Sequence, residues 1–245
     1  MKSVLITGAT KSIGLETAKQ LSKKGLFVYL GSRDIEKGKE VVKTLNSNGF
    51  QNIKAIEIDV TKPETILSAK DIVEKEQGKL DVLINNAGIL GSIPQTATGA
   101  SVDNFKEVYE TNVYGVVRVT QAFMDLLKKS PEPRIVNVSS SQGSLTLASD
   151  PTSRSYHTKG AIYQSSKSAL NMYTIALAYE LRDTAFKVNA VDPGFTKTDF
   201  NHQRGTGTVE DAGARIVKYT LIDKDGPTGK FFSEEFNPET GEIPW

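Results

Sequence analysis

Tyr163 and Lys167 form the only Tyr-x-x-x-Lys spacing in the chain. On a helix this spacing puts both side chains on one face. A free phenol ionises near pH 10, too high for proton transfer at neutrality. A neighbouring ammonium favours the phenolate, so the pair is expected to bring the Tyr163 pKa down toward the working range. Composition alone supplies about one such pair by chance, and an exposed helical Tyr/Lys pair is the competing reading. A second cluster is Thr7-Gly8-Ala9-Thr10-Lys11-Ser12-Ile13-Gly14, between a β-branched run and a helical stretch. Backbone N–H groups at such a helix start can hold a pyrophosphate. Gly8 would permit the tight turn and Gly14 the close packing of helix on strand; an ordinary strand–helix turn is the alternative. A third is Gly31-Ser32-Arg33-Asp34, with Lys37 one turn on. Together with Lys11 these cations suit a ribose 2′-phosphate. Solvated helix-start charges are the bland reading. Asp34 is either a helix cap or the carboxylate of an NAD-type site, and the cap is favoured.

Missing residues narrow the chemistry further. With no cysteine there is no disulfide, thiolate nucleophile or zinc knuckle. His157 and His202 are the only histidines and offer no metal pair, so no metal is expected. A net charge of +1 argues against binding nucleic acid through bulk charge. Lys23-Lys24 and Lys128-Lys129 read as solvated helix ends. No apolar run approaches the ~18 residues of a membrane span, and no export signal is visible, so a cytoplasmic protein is the expectation.

The elements that must position these residues alternate along the chain. Strands are expected at Ser3–Thr7, Leu26–Gly31, Ile53–Ile58, Leu80–Ile84, Arg134–Val138 and Phe186–Val191. Helices are expected at Ile13–Lys24, from Asp34 to about Asn48, from Pro63 to before Gly78, over Val102–Lys129 with a break near Gly115, and over Tyr163–Arg182. The strands are apolar at successive positions, as when helices cover both faces. The pattern implies an α/β fold: a Rossmann-type doubly wound parallel sheet in one domain spanning 1–245. The tail from about 195–201 onward is read as irregular.

In order along the chain, the motifs resemble those of the short-chain dehydrogenase/reductase family. Thr7-Gly8 through Ile13-Gly14 resembles its TGxxxGxG turn, with Ser12 in place of the usual middle glycine. A serine there is strained if the backbone needs φ > 0. Asp59-Val60 resembles the adenine-contacting pair after strand three, and Asn85-Asn86-Ala87-Gly88 the NNAG element. Pro193-Gly194 with Thr198 resembles the nicotinamide-side PGxxxT element, where Thr196 and Thr198 could meet the carboxamide. Asn112, Ser140, Tyr163 and Lys167 occupy the places of the catalytic tetrad. Ser140 is chosen from Ser139-Ser140-Ser141 because Gly143 follows by three.

The resemblance implies hydride transfer from a nicotinamide to a carbonyl carbon. Tyr163 would act as general acid, Lys167 would hold the ribose, Ser140 would hydrogen-bond the carbonyl oxygen, and Asn112 would anchor a relay water. Cofactor contacts would come from Gly8, Lys11, Ser12, Ile13, Gly14, Arg33, Lys37, Asp59, Val60, Asn86, Ala87, Gly88, Tyr163, Lys167, Pro193, Gly194, Thr196 and Thr198. Ser32-Arg33-Asp34 and the segment Asp225–Phe232 look like carbonyl reductase-like members. NADPH-dependent reduction of an aldehyde or ketone is therefore expected. The alternatives are an NAD-linked alcohol or polyol dehydrogenase and a non-catalytic dinucleotide sensor or scaffold. Ser140 and Tyr163 are 23 positions apart, which implies an insertion at about 144–160. Pocket walls are expected from that insertion, from Ile89–Ile93 and from Phe195–Thr208. A homo-oligomer through the long helices remains open, since the insertion beside Tyr163 could block it.

Overall fold

The computed structural model describes residues 1–245. Strands β1 (Ser3–Ile6), β2 (Phe27–Ser32), β3 (Ile53–Glu57), β4 (Val82–Asn85), β5 (Arg134–Val138), β6 (Lys187–Val191) and β7 (Phe231–Phe232) form one sheet. It is parallel throughout, in the order β3-β2-β1-β4-β5-β6-β7. The chain winds outward from β1 in one direction, returns, and continues from β4 in the other. The strand order therefore switches between β1 and β4, and ligands of such sheets bind beyond the carboxyl ends of the strands at that crevice.

The two faces carry separate cores. Alternate strand residues Leu5, Tyr29, Ile56, Leu83, Ile135 and Val188 pack under α3 (Pro63–Gln77), α5 (Gly115–Lys128) and α7 (Ala161–Glu180). Val4, Ile6, Val28, Ile84, Val136 and Val191 pack under α1 (Ser12–Lys23), α2 (Ile35–Ser47) and α8 (Val209–Thr220). β1, β4 and β5 are buried at every position, the consequence of helices on both sides. No helix is long and apolar enough to cross a membrane.

Local signals set several boundaries. The Asp34 carboxylate accepts from the Lys37 amide at 3.1 Å and caps α2. Pro63 occupies the first turn of α3, and Gly78 ends it in a left-handed conformation. Strand limits differ from the expected ones by one or two residues. The expected break in the long helix is a π-helical turn at Glu110–Tyr114, between α4 (Val102–Tyr109) and α5.

The C-terminal segment departs from the expected irregular tail. α8 covers the back of β5 and β6 with Ile216 and Val217, and β7 extends the sheet beside β6. Without α8 the sheet would expose an apolar face, at about 1.5–3 kcal/mol for each large side chain left in water. The Thr208 hydroxyl caps α8, accepting from the Asp211 amide at 3.1 Å. The insertion holds α6 (Leu145–Ser149) and a 3₁₀ turn at Arg154–His157. Both the amide and the hydroxyl of Thr146 donate to the Trp245 carbonyl, at 3.0 and 2.8 Å, so the insertion docks on the chain's end.

Candidate active site

The β1–α1 turn is built to receive an anion. α1 begins at Lys11 with no side-chain cap, as α3, α5 and α7 also do, but only α1 follows a glycine turn at the switch point of the sheet. Its first-turn N–H groups are left for a ligand. Gly8 adopts φ +64°, and a Cβ there would come 3.0 Å from the Ala87 backbone. A Cβ on Gly14 would lie 2.5 Å from the Asn86 amide nitrogen and 2.7 Å from the Gly8 carbonyl, so α1 can approach only without a side chain there. The Asn86 side chain donates to the Thr7 and Gly8 carbonyls at 2.9 and 3.0 Å. The Thr7 hydroxyl accepts from the Asn86 and Ala87 amides, each at 3.0 Å. The turn and the segment after β4 thus form one rigid piece across the switch point. Ser12 stands at φ +51°, the left-handed conformation that glycine would adopt freely. Ile13 packs against the core beneath.

Cations sit around this turn. Arg33 follows β2 directly, and Arg33 and Lys37 are both exposed, with no ion pair on either side chain. Lys11 is committed differently, pairing with Asp199 at 3.3 Å beyond β6. Asp59 follows β3, and its carboxylate accepts from the Thr61 amide and hydroxyl at 3.0 and 2.8 Å. Val60 is buried beside it. These groups and the start of α1 form a site that could hold a dinucleotide.

At the same edge of the sheet the four expected tetrad positions converge. The π-turn carries Asn112, which is fully buried. Its amide oxygen accepts from the Ile89 amide at 2.8 Å, and its nitrogen donates to the Ile89 carbonyl at 2.9 Å and to the Ser166 hydroxyl at 3.1 Å. An extra residue in a helical turn re-aims a side chain, and such turns are frequent at functional sites. Here the amide ties Gly88-Ile89 to α7, the helix that carries Tyr163 and Lys167.

The serine triplet is divided by its partners. Ser139 donates to Asn171 at 2.6 Å, and the Ser140 hydroxyl accepts from the Gln142 amide at 3.3 Å. Gly143 lies against the backbone of Lys167, where a Cβ would be 2.8 Å from the Lys167 Cβ. The Ser-x-x-Gly spacing thereby brings Ser140 to α7.

Lys167 is buried, donates to the Val138 carbonyl at 2.8 Å, and places its ammonium 5.7 Å from the Tyr163 ring centre. Burial lowers its pKa to about 8, with the Asp192 carboxylate pulling the other way. Tyr163 differs from expectation. Burial, and then the Asp192 carboxyl, push its pKa above the ordinary phenol value, with the Ser140 hydroxyl pulling the other way. The Lys167 ammonium bonds the Val138 carbonyl rather than the phenol oxygen.

Beyond β6, the Pro193 carbonyl accepts from Arg215 at 2.7 Å, and the Gly194 amide donates to Asp192 at 3.1 Å. Thr196 and Thr198 are buried. The Thr196 hydroxyl lies 3.2 Å from the Gly194 carbonyl, and the Thr198 amide donates to Asn201 at 3.4 Å. Both residues brace the loop. Phe200 sets its ring edge-on to Tyr163, 5.5 Å between centres. Phe200, Phe195 and Ile93 are exposed. Gln95 accepts from the Tyr163 amide at 2.9 Å and donates to the Leu90 carbonyl at 2.7 Å, fixing the segment after β4 to the start of α7. Phe200 lies in the Phe195–Thr208 segment expected to wall the pocket, whereas Asp192 is absent from the expected site residues. For Asp192 the available signal was a charge at the inner end of an apolar strand, directly before Pro193-Gly194.

A family model described as short chain dehydrogenase matches residues 2–208. The chain is 32% identical to salutaridine reductase of Papaver bracteatum, over 95% of this chain and 94% of that protein. It is 35% identical to (+)-neomenthol dehydrogenase of Arabidopsis thaliana, over 94% and 95%. Among solved structures, the NADPH-bound carbonyl reductase from chicken fatty liver superposes with a TM-score of 0.85 at 26% identity, covering 100% of this chain and 99% of that one.

Proposed function

The chain belongs to the short-chain dehydrogenase/reductase family, and on that premise we propose that it reduces an apolar ketone or aldehyde to the alcohol with NADPH. The observation that carries this reading is the half-buried Tyr163, whose ring lies 5.7 Å from the buried Lys167 ammonium and edge-on to Phe200 at the carboxyl edge of the sheet. A general acid for reduction must hold its proton until charge develops on the carbonyl oxygen.

The uncapped start of α1, Asn86, Ala87 and Asp59-Val60 would hold the dinucleotide, and Lys167 would meet its nicotinamide ribose. When bound, the reduced nicotinamide supplies the hydride. Ser140 hydrogen-bonds the carbonyl oxygen and orients it toward Tyr163. Tyr163 passes its proton to that oxygen as the carbonyl carbon is reduced. Lys167, charged below about pH 8, stabilises the tyrosinate left behind. Asn112 holds Ile89 and α7 in register.

The preference for NADPH rests on Arg33, unpaired and directly after β2, and on Asp34 being used as a helix cap. Phe195, Phe200 and Ile93 favour an apolar substrate, in keeping with relatives named for salutaridine and neomenthol. The test is oxidation of NADPH and, in parallel, NADH with menthone, aromatic ketones, aldehydes and sugars, with the alcohol identified. NADPH-dependent reduction of apolar carbonyls is expected. No turnover with any carbonyl, or no dinucleotide binding, overturns the proposal. Arg33→Asp should weaken NADPH about 10- to 100-fold, as loss of charged phosphate bonds does, and leave NADH no weaker; unchanged NADPH affinity would refute the cofactor choice.

A further inference from the structure

The residue before α7 is Gly160, which has no side chain to cap the helix. The first N–H groups of a helix find no partner within it. In α7 two of them go to one residue of the segment after β4. The Gln95 carbonyl accepts from the Ala161 amide at 2.9 Å, and the Gln95 side-chain oxygen accepts from the Tyr163 amide at 2.9 Å. The side-chain nitrogen of Gln95 donates to the Leu90 carbonyl at 2.7 Å, so both ends of this buried amide are engaged. The fit is close, since a Cβ on Gly160 would come 3.2 Å from the Gln95 side-chain oxygen. The carbonyl of Tyr163 is held as well. It accepts from the Ser166 hydroxyl at 2.7 Å, and that hydroxyl accepts from Asn112, whose amide bonds the N–H and the C=O of Ile89. Both polar groups of the Tyr163 backbone therefore lead to the stretch 89–95.

We propose that Gln95 is a positioning residue for Tyr163: a helix cap supplied from another segment, whose side-chain oxygen fixes the first turn of α7 and with it the phenol. This rests on the reductase reading of the site. Tyr163 is the third residue of α7, a position whose amide a capping side chain ordinarily takes. Helix ends fray, and they fray further when their free N–H groups lose a partner. Lys167 lies one turn further in and is held by its own bond to the Val138 carbonyl. Loss of the cap would therefore move Tyr163 and leave Lys167 in place. A displacement on the order of 1 Å in a reacting group costs about 10²-fold in rate.

Gln95→Met keeps the length of the side chain and removes both of its hydrogen bonds. Gln95→Glu keeps an acceptor for the Tyr163 amide, and a carboxylate suits a helix N-terminus. Each is compared with wild type by kcat and KM for a carbonyl that the wild type reduces, and by NADPH affinity from a fluorescence titration. Amide hydrogen exchange is followed in protein labelled with ¹⁵N-tyrosine, where Tyr163→Phe assigns the Tyr163 signal. In Gln95→Met, kcat should fall at least about tenfold while NADPH binds within about threefold of wild type. Its Tyr163 amide should exchange about tenfold faster, with Tyr173 in the middle of α7 unchanged. Gln95→Glu should stay within about threefold of wild type in kcat and in exchange. Wild-type kcat in Gln95→Met overturns the proposal. So does a parallel loss of kcat and NADPH affinity, or a Gln95→Glu that falls as far as Gln95→Met. If Gln95→Met does not fold, Gln95→Leu repeats the test. The exchange rates need no turnover: absence of any carbonyl substrate sinks the reductase reading, whereas unchanged Tyr163 exchange in Gln95→Met sinks the cap itself.

Discussion

Two buried aspartates stand at opposite edges of the sheet and are treated in opposite ways. Asp81, just before β4 at the amino edge, accepts from the Ser3 amide at 2.9 Å and the Ser130 hydroxyl at 2.6 Å, and pairs with Lys79. Burial alone would raise its pKa, but Lys79, Ser130 and Ser3 outweigh burial and hold it below the ordinary carboxylate value. Asp192 at the carboxyl edge also has a hydroxyl and backbone amides, yet no cation of its own, and burial keeps its pKa raised. At similar depth, the difference is the paired lysine. The amino edge neutralises its charge locally and spends it on stability. The carboxyl edge leaves an acid without a cation, held by Ser233 and the Gly194 amide, in the part of the molecule that also holds the π-turn and a serine at positive φ.

The largest effect expected from breaking this contrast is at Lys167. Lys167→Met should lower kcat/KM by about 10²–10⁴-fold, the range of acid–base contributions, while the thermal midpoint holds or rises because a buried ammonium is gone. A fall in midpoint with kcat/KM preserved would make Lys167 structural. Asp81→Asn should do the reverse, costing about 1–3 kcal/mol and a midpoint drop on the order of 5 °C for a chain of this size, with kcat unchanged. Its pH dependence has a definite sign. A carboxyl with a lowered folded pKa stabilises above its unfolded value near 4 and loses that stability as pH falls through the folded value. Thermal midpoints measured on the acid side should therefore fall more steeply in wild type than in Asp81→Asn. The smallest change is at Ser12. Glycine relieves the positive φ but loses more backbone entropy on folding, leaving a net gain of at most about 1 kcal/mol. Calorimetry should show a rise of a few degrees or less, and a clear loss would show that the Ser12 hydroxyl bonds within the fold.

The first six strands were legible because apolar residues at successive positions have one cheap solution, burial on both faces. The cap of α2 was legible because Asp34 acts within its own turn. α8 was legible in principle: Thr208 and Asp211 have capping spacing, and Ala212, Ile216 and Val217 recur at helical intervals. β7 has two residues and no pattern to read. The positions of Tyr163 and Lys167 followed from motif order, but the direction of the Tyr163 pKa did not. It follows from burial first and then from Asp192, neither of which a four-residue spacing contains. Asp192 escaped because its hydroxyl partner, Ser233, lies far away in sequence.

Tyr163 is the proposed proton donor of an NADPH-dependent reduction. It is tested most directly by measuring carbonyl turnover and NADPH affinity on one preparation of Tyr163→Phe. The prediction is a loss of at least about 10²-fold in kcat, with NADPH bound within about threefold of wild type, since the ring and its contact with Phe200 remain. Turnover within a few-fold of wild type would contradict the account.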